Sequence, residues 1–246
     1  MEITWTYLFF AMLFFVVAFL YSSVGHGGAS GYLMVMTFLG FAPGVSKISA
    51  LSLNIIVSGV AFYHYYKSGY FKMKFFIPFA IGSVPASFIG ALIYLNTHTY
   101  RIVLGWLLLI SAVSLILFVN KKSAITRIPS VWFSLAIGAA IGLFSGMIGI
   151  GGGILLSPLI LLCGWADAKE TAATSALFIF VNSIAGIISG LSTGIKIPAL
   201  VLPLLIIAVL GGFTGSYLGS RKLNHTVIRR LLGLVLLIAS IKLING

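Results

Sequence analysis

Apolar positions run along this chain in long stretches with no strict alternation, separated by short clusters of glycine, proline and charge. The stretches 5–21, 45–66, 75–95, 102–119, 131–148, 171–191, 197–219 and 228–244 each predict a membrane-crossing helix. A hydrocarbon core about 30 Å thick takes about 20 residues at a helical rise of 1.5 Å. Their richness in Leu, Ile, Phe and Ala, without period-two alternation, speaks against barrel strands. Two further apolar runs, 31–41 and 154–164, are too short to span comfortably and predict half-helices or steeply tilted segments. The stretch 166–170 reads as a turn and helix start, because Asp167 and Glu170 suit the positive end of a helix.

Each short run follows a glycine cluster: Gly25-His26-Gly27-Gly28-Ala29 in the first half, Gly149-Ile150-Gly151-Gly152-Gly153 in the second. Glycine costs a helix interior about 1 kcal/mol relative to alanine, so clusters this dense predict breaks, at 22–30 and 149–153. Inside a bilayer an unwound segment survives only where protein or a watery cavity satisfies its amides and carbonyls. The two breaks belong to a longer correspondence. Gly25 with Gly149 and Gly40 with Gly164 are 124 residues apart, and Gly69 with Gly194, Pro78 with Pro203, and Gly90 with Gly215 are 125 apart. The offset drifts to 128 at Arg101 with Arg229 and Gly105 with Gly233. The chain is therefore read as two repeats, 1–123 and 124–246, of one membrane domain, with 120–127 as the linker.

Composition agrees. Of 246 residues, 60% are hydrophobic and 7% charged, where a soluble domain carries about 25% charged residues. Mean hydropathy is +1.17. The net charge of +12 would suit an anionic macromolecule, but no soluble region exists to form a nucleic-acid domain. The charge has a topological use instead. Eleven of the fifteen Lys and Arg residues fall at 67–74, 120–128, 166–170 and 220–230, leaving Lys47, Arg101, Lys196 and Lys242 for the other side. The crowded side is expected to be cytoplasmic, with both termini outside the cytoplasm. Each half then crosses an odd number of times, so the halves are inverted. The expected fold is an all-α polytopic membrane bundle of two inverted repeats with broken or re-entrant Gly-rich segments and about 8 to 10 passes. Met1-Glu2 leads straight into the first span without a basic segment, which predicts a span rather than a cleaved signal. Cys163, the single cysteine, lies in an apolar run and reads as a packing residue. Trp5, Tyr7, Tyr63, Tyr65, Tyr66, Trp132 and Trp165 read as interface anchors. Pro78, Pro85, Pro158 and Pro203 read as helix kinks.

A glycine break that opens a helix presents unpaired N–H groups and the helix dipole, roughly half a positive charge. Such a terminus binds anions without any charged side chain. The alternative is that the glycines only let helices pack closely; two dense clusters at related positions favour the binding site. The candidate substrate-binding residues are Ser22, Ser23, Gly25, His26, Gly27 and Gly28 around the first break and Gly149, Gly151, Gly152 and Gly153 around the second. Ser52, Asn54, Thr174, Ser175 and Asn182 from the following helices join them. Ordinary interhelical hydrogen bonding, at ~0.6 kcal/mol per pair, is the plainer role for any one of these polar side chains. His26 is the coupling candidate: its imidazole either carries a proton or meets the anion, or else stays neutral on a carbonyl freed by the break. The only acids are Glu2, Asp167 and Glu170, none central to a span, which argues against a cation channel or a carboxylate-driven pump. The four histidines form no metal-ligand pattern, no nucleophile has a base and acid beside it, and neither a cofactor nor enzymatic activity is expected.

With its duplicated break, and with Ala172-Ala173-Thr174-Ser175 to Asn182-Ser183 echoed more weakly by Ser49-Ala50-Leu51-Ser52-Leu53-Asn54, the whole chain resembles the sulfite exporter TauE/SafE family of membrane permeases. Ala29 departs from the pattern where the second half has Gly153. The resemblance implies a secondary transporter, by its name an exporter, of small sulfur-containing anions such as sulfite, thiosulfate or organosulfonates. It also implies the plasma (inner) membrane of a prokaryote, with the lipid bilayer as partner and a homo-oligomer left open. An anion-selective channel and a non-transporting scaffold subunit are the alternative readings.

Overall fold

A computed structural model of the chain describes residues 2–117, 129–194, 199 and 201–245, which are helical with no strand among them. Ten helices follow one another: α1 (Glu2–Ser22), α2 (Ala29–Phe38), α3 (Pro43–Lys67), α4 (Met73–Leu92), α5 (Thr97–Leu117), α6 (Val131–Ile148), α7 (Gly153–Leu162), α8 (Ala168–Ser192), α9 (Val201–Arg221) and α10 (His225–Asn245). The expected linker at 120–127, the boundary between 123 and 124, and Lys121, Lys122, Arg127 and Lys196 lie outside the described residues. Among the described residues six helices are long and apolar enough to cross a membrane: α3, α4, α5, α6, α8 and most of α9. In sequence order the helix lengths recur, with 21, 10, 25, 20 and 21 residues followed by 18, 10, 25, 21 and 21.

α3 and α8 form the centre as an antiparallel pair, with Ile48 facing Gly190, Leu51 facing Gly186 and Gly59 facing Phe180. α9 packs beside α3 and α4 beside α8. Outside these, α6 packs on α4 and α1 on α9, each pair running parallel. Gly138, Gly142 and Gly146 of α6 sit against the backbone of Phe79, Ser83 and Ser87, while Gly211, Gly215 and Gly219 of α9 sit against Phe15, Phe19 and Ser23. A methyl group at any of these six would overlap the facing backbone. Without a hydrophobic drive between helices in lipid, such close approach supplies the dispersion contact that holds them. α5 and α10 make a further antiparallel pair, with Gly105 against Ile244 and Gly233 against Ile116.

The exterior is apolar: Ile77, Ile81 and Ile89 of α4 and Leu202, Ile206 and Leu210 of α9 recur on outward faces. The interior holds the polar groups, including twenty-odd buried serines and threonines, many bonded to carbonyls of their own helix. This inversion of the soluble pattern marks an integral membrane protein.

Some local expectations change. The helix expected at 102–119 starts earlier: Asn96 Oδ1 accepts the Thr99 amide at 2.8 Å and α5 begins at Thr97, so Arg101 lies within the helix. Cys163 is exposed at the end of α7 rather than packed. Tyr65 is fully buried, its hydroxyl donating to the Ser23 carbonyl at 2.8 Å, and is no interface anchor. The helix start at 166–170 is a capping box: Asp167 Oδ1 accepts the amides of Lys169 and Glu170 at 2.8 Å, and Glu170 reaches back to the Asp167 amide.

Gly142→Val drives two methyls into the Ser83 backbone and should cost about 1–3 kcal/mol, the usual penalty of overpacking. A lowered thermal midpoint in detergent is the expected result; an unchanged one would show that the α4–α6 contact does not need its glycines.

Candidate functional site

Both glycine clusters terminate a helix in the same manner. Gly25 (φ +79°) and Gly149 (φ +89°) adopt the left-handed conformation, and the next amide reaches back five residues, His26 N–H to the Tyr21 carbonyl at 2.9 Å and Ile150 N–H to the Ser145 carbonyl at 3.2 Å. These are glycine-based C-terminal caps, which consume carbonyls the helix leaves open. A second left-handed glycine, Gly28 (φ +94°) or Gly152 (φ +78°), then starts α2 or α7. Each short helix folds back along its predecessor. Tyr32 stacks on Phe14 at 5.2 Å and Ser30 Oγ donates to the Tyr21 hydroxyl at 2.9 Å, while Gly152 lies against Ile141 and Ser145.

The two breaks meet at Asn54. Its Oδ1 accepts the amide of Ala29, the first residue of α2, at 3.0 Å, and its Nδ2 donates at 3.3 Å to both the Ile150 carbonyl and Ser183 Oγ. Gly27 and Gly151 both lie against the Asn54 carboxamide on one side and Ile179 on the other. Asn54 thus caps α2, whereas α7 has no side-chain cap and Ile179 packs over Gly153 instead. Beside the start of α7 stands Ser145, whose hydroxyl is buried and makes no hydrogen bond.

On the far side of the first break, His26 Nε2 hydrogen-bonds Ser157 Oγ of α7 at 2.9 Å, and Ser157 bonds Ser175 Oγ of α8 at 2.6 Å. All three side chains are buried. Sequence reasoning passed over Ser157; its signal was a lone hydroxyl in an otherwise apolar ten-residue helix. It also passed over Lys47, which lies against Gly149 and donates from Nζ to the Ala91 carbonyl at 2.9 Å. A lysine in the opening turns of a long membrane helix is the clue there.

Other expected residues stand apart. Asn182 bonds Ser83 Oγ at 3.0 Å and its own-helix Phe178 carbonyl at 2.8 Å, on the α4 side of α8 and not at the breaks. Ser52 and Ser22 bond carbonyls of their own helices, Ile48 at 2.9 Å and Phe19 at 3.3 Å. Ser23 does the same with Leu20 at 2.6 Å. Thr174 is buried next to Ser175. Gly25 is closed over by the backbone of Ala172. With Asn54, Ile179 and Phe178 in place, the space over Gly27 and Gly151 to Gly153 is filled by side chains. The two carboxylates of α8 are engaged elsewhere: Asp167 caps the helix and Glu170 pairs with Lys72. Among the described residues no cluster of His, Cys, Asp and Glu could hold a metal ion.

Comparison with known proteins agrees with this architecture. The family model "Sulfite exporter TauE/SafE" matches residues 10–243. "Probable membrane transporter protein y4hK" of Sinorhizobium fredii is 37% identical, over 95% of this chain and 96% of its own. "Probable membrane transporter protein YunE" of Bacillus subtilis is 29% identical over 73% and 70%. "Probable membrane transporter protein MamO" of Magnetospirillum gryphiswaldense is 31% identical over 46% of this chain and 19% of its own. No solved structure matches. The chain belongs to the sulfite exporter TauE/SafE family of membrane transporters.

Asn54→Leu keeps the number and branching of side-chain heavy atoms but leaves the Ala29 amide and the Ile150 carbonyl buried without this partner, at about 1–3 kcal/mol each. A thermal midpoint lower by several degrees than wild type is expected. The same substitution at Asn182 should also destabilise but leave His26 and both breaks unperturbed in amide exchange.

Proposed function

We propose that the chain is a secondary transporter of a small sulfur-containing anion, such as sulfite, thiosulfate or an organosulfonate, working by alternating access between two inverted repeats. The observation that carries this reading is the meeting of both glycine breaks at Asn54, deep among membrane helices. The repeat is supported by paired conformations. Gly25 and Gly149, Gly28 and Gly152, Gly40 and Gly164, and Gly69 and Gly194 all have positive φ. It is supported also by reciprocal packing, since α1 on α9 answers α6 on α4 and α3 on α9 answers α8 on α4. If α2 and α7 are counted as passes, the bundle crosses ten times. The end bearing Lys67, Lys72, Lys74, Lys169, Arg221, Lys222 and Arg230 faces the cytoplasm of a prokaryotic inner membrane, and both termini face away.

The anion is held at the start of α7. There the amides of Gly151 to Gly153 and the dipole supply positive potential, no side chain caps the helix, and the Ser145 hydroxyl is unengaged. No carboxylate is needed to repel cations or required to be neutralised. Binding displaces the Asn54 carboxamide and Ile179 from the breaks, and the filled centre favours such a carrier over a continuously open channel. The chain His26–Ser157–Ser175 lies beyond Asn54, where the imidazole meets the anion or carries a coupling proton.

Closure at the basic end is made by contacts across the halves. Lys72 pairs with Glu170, Lys169 Nζ donates to the Tyr70 hydroxyl at 3.0 Å, and the Gly25 and Ala172 backbones touch. Rocking that exposes the site to the cytoplasm must break these contacts. Sulfite is a substrate candidate on the family's description and organosulfonates on their like charge and shape; thiosulfate is the practical probe because it resists air oxidation.

Saturable, trans-stimulated flux of radiolabelled thiosulfate or sulfite in proteoliposomes is expected, and single-channel conductance with neither property would replace the carrier by a channel. Ser145→Ala should raise KM by about ten- to a hundred-fold, one hydrogen bond to a charged group, with the fold intact. Glu170→Gln weakens the closed cytoplasmic end and should shift the labelling of Tyr70 and Lys169 by impermeant reagents upward. His26→Gln should abolish the pH dependence of flux if the imidazole carries the proton, and leave it unchanged if it does not.

A further inference from the structure

The two breaks are alike in backbone but not in what seals them. Gly25 is covered by the backbone of Ala172, four residues into α8. Gly149 occupies the corresponding place in the second half and is covered by Lys47, four residues into α3. Where the first contact is a closed seam of backbone on backbone, the second borders a cavity of about 300 Å³. Its walls include Gly44, Lys47, Leu92, Tyr100, Met147 and Thr193, so that the starts of α3 and α5 meet the ends of α4, α6 and α8.

Among the described residues Lys47 is the only charged residue in that wall, and no carboxylate lines it. Its ammonium is held by a neutral acceptor, the Ala91 carbonyl at the end of α4, at 2.9 Å. An ammonium has three donors, so two remain to be used. The Tyr100 hydroxyl donates to the Ile148 carbonyl at 3.0 Å and pins the end of α6 to the cavity floor, directly before Gly149. A half-buried cation without a carboxylate partner among the described residues, in a cavity bordered by the residue that covers Gly149, has the chemistry of an anion receptor.

We propose that this cavity is the outer vestibule of the transport path, in which Lys47 captures a small oxyanion and hands it past Gly149 to the start of α7. The choice of a sulfur oxyanion or sulfonate rests on the transport reading above; the site itself does not. Its asymmetry is functional: the cover over Gly149 is a cation, Lys47, while Gly25 is closed by the Ala172 backbone, with the Lys72–Glu170 pair at the same end. A lipid phosphate offers similar chemistry from another source, and the test separates the two.

Lysine acetylation footprinting of the purified full chain, in phospholipid-free detergent, measures the site without requiring transport. Millimolar thiosulfate against chloride at equal ionic strength should protect Lys47 several-fold and leave Lys74 unchanged. Protection by phosphatidylglycerol vesicles but not by thiosulfate would assign the cavity to lipid and overturn the proposal. In proteoliposomes Lys47→Gln should raise the thiosulfate KM about ten-fold, the loss of one charged contact, with kcat within about two-fold, and Lys47→Arg should largely restore it. Equal acetylation in both salts, or a wild-type KM in the Gln variant, overturns the vestibule even if transport is saturable. Protection of Lys47 without any flux leaves the vestibule standing and removes the transport reading. A Gln variant that does not fold leaves the wild-type footprint to decide.

Discussion

Every amide and carbonyl in the hydrocarbon must find a partner, and the rest of this molecule follows from how its two interrupted helices meet that demand. Left-handed Gly25 and Gly149 let the chain turn while His26 and Ile150 donate back to Tyr21 and Ser145. The carboxamide of Asn54 then serves both interruptions at once, accepting from Ala29 and donating to Ile150. One side chain holding a donor from one half and an acceptor from the other couples the two breaks mechanically. Motion at either break must reach the other through it.

Glycine has two unrelated uses here. In α6 and α9 it is spaced every fourth residue, at Gly138, Gly142 and Gly146 and at Gly211, Gly215 and Gly219, and its missing side chain lets parallel helices touch backbone to backbone. Those pairs are rigid units. In the breaks glycine supplies positive φ and bare amides, and rigidity is surrendered. Helix pairs in backbone contact thus flank the central glycine turns.

Gly25 and Gly149, and Gly28 and Gly152, share a backbone conformation, while the side chains around them differ in chemistry. Asn54 answers Ile179 across the centre, His26 stands where the other half has Ile150, and Lys47 stands where it has Ala172. The polar groups near the breaks, Lys47, Ser145, Asn54 and the His26–Ser157–Ser175 chain, are therefore not matched in kind at the corresponding positions.

Hydropathy located the helices to within a few residues, because transfer from water to hydrocarbon is a property of each side chain and needs no knowledge of neighbours. Glycine density located both breaks for the same local reason. Capping was legible too, in Asp167 followed three residues on by Glu170. What tertiary structure alone decided is which polar side chains face which. Asn54 and Asn182 look equivalent as residues in long helices, yet one bridges the breaks while the other bonds α4. A rotation of 100° per residue separates neighbouring faces, and the facing helix is set by contacts more than a hundred positions away. Lys47 counted in the sequence only as one charge among fifteen. Its place against Gly149 depends on α3 and α6 converging at one end of the bundle, a fact that belongs to packing and not to composition.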